Sequence, residues 1–158
     1  MGRWFDAAAG LLGVREISAY EGQAAMLLEA LATSAEPPAD LVEVRALVPC
    51  TADGQLDPGP LILRLADEND AARGAALFHH AMAEGLARWV QQASDSTGLR
   101  TVAFGGGCFL NALLTALLRQ RLRDAGLRVL EARQAPPNDG GIALGQAWVA
   151  LCKINRGD

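Results

Sequence analysis

The sequence of 158 residues predicts an α/β fold with a parallel sheet. Two strand-like apolar runs, Leu99–Phe104 and Leu127–Ala132, flank a leucine-striped helix, and a turn and a further helix follow. Composition supports a packed core: hydrophobic residues make up 51% and charged residues 20%, with mean hydropathy +0.14. Aromatic residues are only 5%. Leucine and alanine must therefore do most of the packing, and alanine lets helices approach closely.

The elements follow in order along one domain of ordinary size. Trp4, Phe5, Leu11 and Leu12 give one apolar face to a helix from about Arg3 to Leu12, which Gly13 ends. Ser18 and Glu21 have the spacing of a capping box and predict a helix running to about Ala32. In Leu41–Val48, β-branched residues alternate with polar ones and predict a strand. Pro49–Pro60 is turn chemistry, and Leu61–Leu65 is a short apolar helix or strand. Phe78, Met82, Leu86 and Trp89 mark the buried face of a helix over about Asp70–Gln92, interrupted by Ser94–Gly98. After the strand Leu99–Phe104, the residues Leu110, Leu113, Leu114, Leu117 and Leu118 form a helical stripe, and Gly126 suits a left-handed C-cap. The last helix spans about Ile142–Cys152, with Trp148 on its apolar side. No repeat or low-complexity linker interrupts this order.

Charge and cysteine usage exclude several classes. Net charge is −4, and the basic residues are scattered, so no nucleic-acid footprint exists. No apolar run approaches the roughly 18 residues of a membrane span. Cys50, Cys108 and Cys152 lie far apart without a C-x-x-C pair, and no signal-peptide pattern opens the sequence. The expectation is a soluble cytoplasmic protein with reduced thiols.

Two stretches stand out chemically. In "FGGGCFLN", Gly105, Gly106 and Gly107 join a strand to a helix. Bare backbone there, ahead of amides without internal partners, is suited to an anion such as phosphate; the plainer alternative is a tight turn with close packing. Neither the P-loop pattern nor the dinucleotide fingerprint fits, since Leu110 stands where a third glycine would be. In "PPNDGG", Asp139 precedes a helix and is either an N-cap or a hard-metal ligand lacking partners. His79 and His80 are neighbours in mid-helix, about 100° apart, and so ill placed to share an ion; satisfied or surface histidines are the plainer reading. No G-x-S-x-G, H-x-x-x-H or Cys/His constellation supplies a nucleophile.

Five segments in this order, "MGRWFDAAAGLLG", "YEGQAAMLLEALA", "LFHHAMAEGLA", "FGGGCFLN" and "PPNDGGIALGQAWVA", resemble the C-terminal part of the HypF carbamoyltransferases of NiFe-hydrogenase maturation. They span Met1 to about Ala150; more distant relatives are the O-carbamoyltransferases of antibiotic biosynthesis and TsaD-type proteins. The resemblance implies a ribonuclease-H-like lobe of the actin/Hsp70/sugar-kinase type. Residues 1–158 would be the second lobe of a nucleotide-binding domain, with the first lobe and the upstream domains absent. It implies that Gly105–Gly107 face the phosphates of ATP or carbamoyl-adenylate and that Asn111 lies near the adenosine. Asp6 would bond the ribose with Glu21, Gly22 and Gln23 beside it, and Asp139 would bind a divalent metal (iron, zinc or magnesium). The implied reaction passes a carbamoyl group to the C-terminal cysteine of a HypE-like acceptor. The implied partners are that acceptor and the complementary N-terminal HypF region, and an exposed lobe face could also make a homodimer.

The sequence also departs from the family pattern. Leu27 stands where a glutamate is usual, the turn lacks the usual serine, and the paired-histidine metal motif of the first lobe is absent. The alternative class is a non-catalytic docking or regulatory module descended from the lobe. A methyltransferase-like nucleotide fold would need an acidic residue after the next strand, and Glu131 is all that offers one.

Overall fold

Alanine and glycine set how closely the helices of this protein approach. The computed structural model describes residues 1–156 and centres on one long helix, α5 (Ala71–Thr97). Around it lie α1 (Gly2–Leu11), α2 (Gln23–Ser34), α3 (Leu41–Ala46), α4 (Gly59–Ala66) and α6 (Ala112–Asp124). The buried side of α5 is mostly small: Gly74, Ala75, Ala76, Ala81, Ala83, Gly85 and Ala87. A Cβ at Gly85 would stand 2.9 Å from the Val48 carbonyl oxygen, and one at Gly74 would stand 2.4 Å from Leu12. At Gly85 the atom met is backbone, which leaves no room for a side chain, so the end of α3 seats directly on α5, whereas at Gly74 it is the tip of the Leu12 side chain. Phe78, Leu28, Leu61, Leu65, Leu114 and Leu122 fill the remaining core.

Both strands are where the pattern predicts, and they pair in parallel. β1 (Thr101–Ala103) runs beside β2 (Arg128–Leu130), Val102 opposite Val129, with α6 as the crossover. The sheet is smaller than expected, with two strands among the described residues.

Four local expectations need correction. Leu41–Ala46 is the helix α3 and not a strand. Asp40 caps it, its Oδ1 accepting from the amides of Val42 and Glu43 at 2.9 and 3.0 Å. Val44, Leu47 and Val48 are buried at helical spacing while Val42 is exposed, so the apparent alternation was the wrong period. The capping box at Ser18–Glu21 does not form. Gly22, at φ +80°, holds the N-cap of α2, and Gln23 Oε1 accepts instead from the Ala19 amide at 2.7 Å. Ser94–Thr97 does not interrupt α5, because the Ser96 and Thr97 hydroxyls donate back to the Ala93 carbonyl within the helix. Gly98, at φ +73°, then ends it. Finally, Trp89 is 42% exposed and lies outside the buried face of α5. Trp89 donates its indole N–H to the Gly54 carbonyl.

The last helix, α7 (Ile142–Arg156), stands apart. Its main contact is with the short 3-10 turn Asp139–Gly141 before it. Ile142, Leu144, Trp148, Val149, Leu151 and Ile154 are each more than half exposed. Among the described residues, no helix is long and apolar enough to cross a membrane.

Candidate functional site: the glycine turn and the two loops beside it

The glycine turn lies open. Gly105, Gly106 and Gly107 are all exposed, and Phe104 and Phe109 stack beneath them with ring centroids 4.4 Å apart. The three glycines have different reasons to be glycine. Gly106 has φ +102° and ψ 160°, a region almost closed to side-chain-bearing residues. At Gly105 an added Cβ would meet nothing within 4 Å, and at Gly107 only Asn138 Cβ at 3.9 Å. The fold therefore demands glycine at one of three positions. At the other two the bare backbone faces space the chain does not fill.

The second stretch sits against the first. The Gly106 amide donates to the Pro137 carbonyl, so the "PPNDGG" loop touches the glycine turn. Gly141 holds this loop tight, since a Cβ there would stand 2.7 Å from the Pro136 carbonyl oxygen. Asn138, not Asp139, takes the N-cap position, its Oδ1 accepting from the Gly140 amide at 3.2 Å. The exposed carboxylate of Asp139 makes no hydrogen bond or ion pair among the described residues. It offers a hard oxygen donor, but no group of three His, Cys, Asp or Glu side chains stands ready for a metal among those residues.

The start of α6 is not free for an anion, contrary to expectation. The Leu113 amide donates to Glu29 Oε1 at 3.0 Å, and the Leu114 amide to Asn111 Oδ1 at 2.8 Å. A carboxylate already occupies this helix end, so a second anion would meet like charge. The short 3-10 helix Gly107–Leu110 separates α6 from the turn, where the Gly106 amide is itself taken by Pro137. Asn111 is 6% exposed, with its side chain turned inward. Asp6, Glu21 and Gly22 meet elsewhere, in one open, largely polar cleft of about 500 Å³ that Arg15 and Tyr20 also line. Asp6 is half-exposed, with Arg3 only loosely paired at 3.9 Å. Leu27, on α2, is 39% exposed. Gln23 is engaged in closing the loop before α2, as described above.

Sequence reasoning overlooked Glu29, which no local signal marks, and left His79 among ordinary satisfied histidines. His79 is fully buried. Its Nδ1 lies 2.8 Å from the Ala75 carbonyl oxygen and its Nε2 lies 3.0 Å from Asn111 Nδ2. The carbonyl can only accept, so Nδ1 carries the proton and Nε2 accepts from the Asn111 amide. Burial pushes the His79 pKa below 6.5, against the Ala75 carbonyl and the nearby Glu29 carboxylate, which favour the charged form. His80 is pushed down as well, by burial and then by the charge of Arg121 and its neighbour His79. The unfolded chain thus takes up these protons first as pH falls. Stability should be level above pH 6.5, the ordinary histidine value, and decline as pH drops below it toward the folded pKa values. Urea midpoints measured from pH 8 to pH 5 check this, and His79→Gln should flatten part of the decline. Glu84 adds loss at lower pH. Burial raises its pKa, but Arg121 and Arg45, each 3.0 Å away, outweigh that and hold it below 4.5.

Fold and site together define an α/β domain with an exposed glycine turn and, in the loop that touches it, the exposed carboxylate of Asp139. Residues 1–146 match the family model described as carbamoyltransferase, Kae1-like domain, second subdomain. The chain belongs to the HypF carbamoyltransferase family. It is 51% identical to carbamoyltransferase HypF2 of Cupriavidus necator, over 96% of this chain and 22% of that protein. With carbamoyltransferase HypF of Rhizobium leguminosarum bv. viciae it shares 45% identity, over 92% of this chain and 19% of that protein. A crystal structure of full-length HypF in its phosphate- and nucleotide-bound form superposes with TM-score 0.80 at 31% identity, covering 95% of this chain and 20% of that one. The structure of T. kodakarensis HypF gives TM-score 0.76 at 26% identity, over 98% of this chain and 20% of that one. The chain thus spans about a fifth of each of these four relatives.

Proposed function

We propose that this chain is the nucleotide- and metal-binding lobe, ribonuclease-H-like in its ancestry, of a carbamoyltransferase. In this reading it helps pass a carbamoyl group from carbamoyl-adenylate to the C-terminal cysteine of a HypE-like acceptor, and it acts together with the first subdomain. The observation that carries the proposal is the pair Gly105 and Gly107, bare where nothing in the chain requires it. Amides without side chains over them can approach phosphate oxyanions closely. Support comes from the relative whose structure is described as phosphate- and nucleotide-bound.

Each residue then has a task. The turn holds oxyanions of ATP or of the adenylate, and Asp6, in the cleft with Glu21 and Gly22, accepts from ribose hydroxyls. Asn111 fixes the turn from within. Asp139 would give one oxygen to a divalent cation whose other ligands come from outside the described residues. When bound, such a cation supplies Lewis-acid polarisation of a carbonyl or phosphoryl oxygen.

Asp139→Ala separates this reading from the docking-module alternative. In the chain combined with a first subdomain, metal-dependent transfer should fall by about 100-fold or more while ATP is still bound. Radiolabelled carbamoyl transfer to the acceptor, measured against metal concentration, decides. Unchanged transfer would favour a docking role.

A further inference from the structure

We infer that His79 is a positioning residue, a buried lock that sets the glycine turn and ties it to the segment carrying Asp6. This inference rests on the proposed nucleotide site only for its functional consequence; the lock itself is a matter of geometry.

His79 touches both halves of that site, through Phe5 on one side and Asn111 on the other. On one side its ring meets Phe5 edge-on at 5.7 Å, and Phe5 directly precedes Asp6 on α1. Phe78 closes the cluster, 5.0 Å from Phe5 and 5.5 Å from His79. On the other side Nε2 accepts from Asn111, the residue that ends the glycine-turn segment and caps α6. Because Nδ1–H is fixed on Ala75, the imidazole presents only a lone pair to Asn111. That lone pair dictates which way the amide lies: nitrogen toward His79, oxygen toward the Leu114 amide. Flipping the amide would set oxygen against lone pair and N–H against N–H. Glu29 holds the next amide, that of Leu113, so both groups that anchor the end of the turn come from packed helices. The register of residues 105–110 is thereby set from inside the core. The charged or titratable groups near the imidazole are Glu29 on α2, and His80 with Arg121 beyond it.

A merely structural histidine would weaken the fold without moving the site, so the test separates the two. Nitrogen-15 NMR of the histidine-labelled chain should show His79 protonated at Nδ1 alone. In His79→Leu the amide resonances of Asp6 and Gly105–Gly107 should shift or broaden. His79→Gln keeps an acceptor for Asn111 and should restore them, and Leu61→Val, an equally buried change on α4, which packs on α1 and α5, should leave the Gly105–Gly107 resonances in place. In the chain combined with a first subdomain, His79→Leu should weaken ATP binding at least tenfold, with Leu61→Val near wild type. Protonation at Nε2, unmoved glycine resonances in His79→Leu, or equal movement in Leu61→Val would each overturn the lock. If wild type binds no ATP, the nucleotide reading fails, and the resonances alone still decide for or against the lock.

Discussion

Gly105→Val should cut nucleotide-dependent transfer about 100-fold or more without changing the stability of the chain. A valine side chain at 105 would bring in a Cβ that meets no atom within 4 Å apart from those of its immediate chain neighbours. Nothing in the fold resists it, so the thermal midpoint should match wild type. The same side chain would stand between the turn amides and any phosphate oxygen. Removing one preorganised backbone donor to a developing or bound oxyanion costs about 100- to 1000-fold in rate. Gly106→Val is the contrasting case. Its φ of +102° would have to be held by a β-branched residue, at about 1–3 kcal/mol of strain. There stability and function should fall together. Transfer assays of the chain combined with a first subdomain, paired with melting curves of the chain alone, read both quantities. If Gly105→Val transfers at the wild-type rate, the turn does not hold the nucleotide.

What the sequence disclosed about this site followed the range of each signal. The glycine turn and the parallel strands around it announce themselves locally, through backbone requirements and apolar runs that need no knowledge of neighbours. Asp139 was visible as a carboxylate, but its freedom depends on Asn138 taking the cap, a contest between adjacent residues that propensity cannot settle. Leu41–Ala46 misled because Asp40 and the spacing of Val44, Leu47 and Val48 outweigh a preference for strand that β-branching suggests. His79 and Asn111 lie 32 positions apart, and Glu29 and Leu113 lie 84 apart. Those contacts exist only after α2, α5 and α6 have packed, and no local pattern encodes them. The five quoted segments made the family legible because they preserve residues whose reasons are partly non-local.

Trp148→Glu should leave the isolated chain as stable as wild type and yet weaken its binding to a first subdomain about 30-fold. In most helices a buried tryptophan replaced by a carboxylate would be ruinous. Here Trp148 is 67% exposed, and Leu144, Val149 and Leu151 around it are exposed too, so the charge enters water and not a core. An exposed apolar helix face of this kind is the mark of an interaction surface. The chain matches a second subdomain and spans about a fifth of its relatives, and a first subdomain is the piece that the match itself calls for. On the function proposed above, α7, most of which lies beyond the matched residues 1–146, would meet that first subdomain. Tryptophan at the centre of an interface contributes about 2 kcal/mol or more, so affinity for a separately supplied first subdomain should fall about 30-fold. Titration calorimetry gives that number, and urea midpoints of the two chains verify the unchanged fold. Sedimentation supplies the decisive contrast. Should wild-type chain dimerise and Trp148→Glu be monomeric while affinity for the first subdomain is unaltered, α7 joins copies of this chain to each other, and the complement must dock on another face.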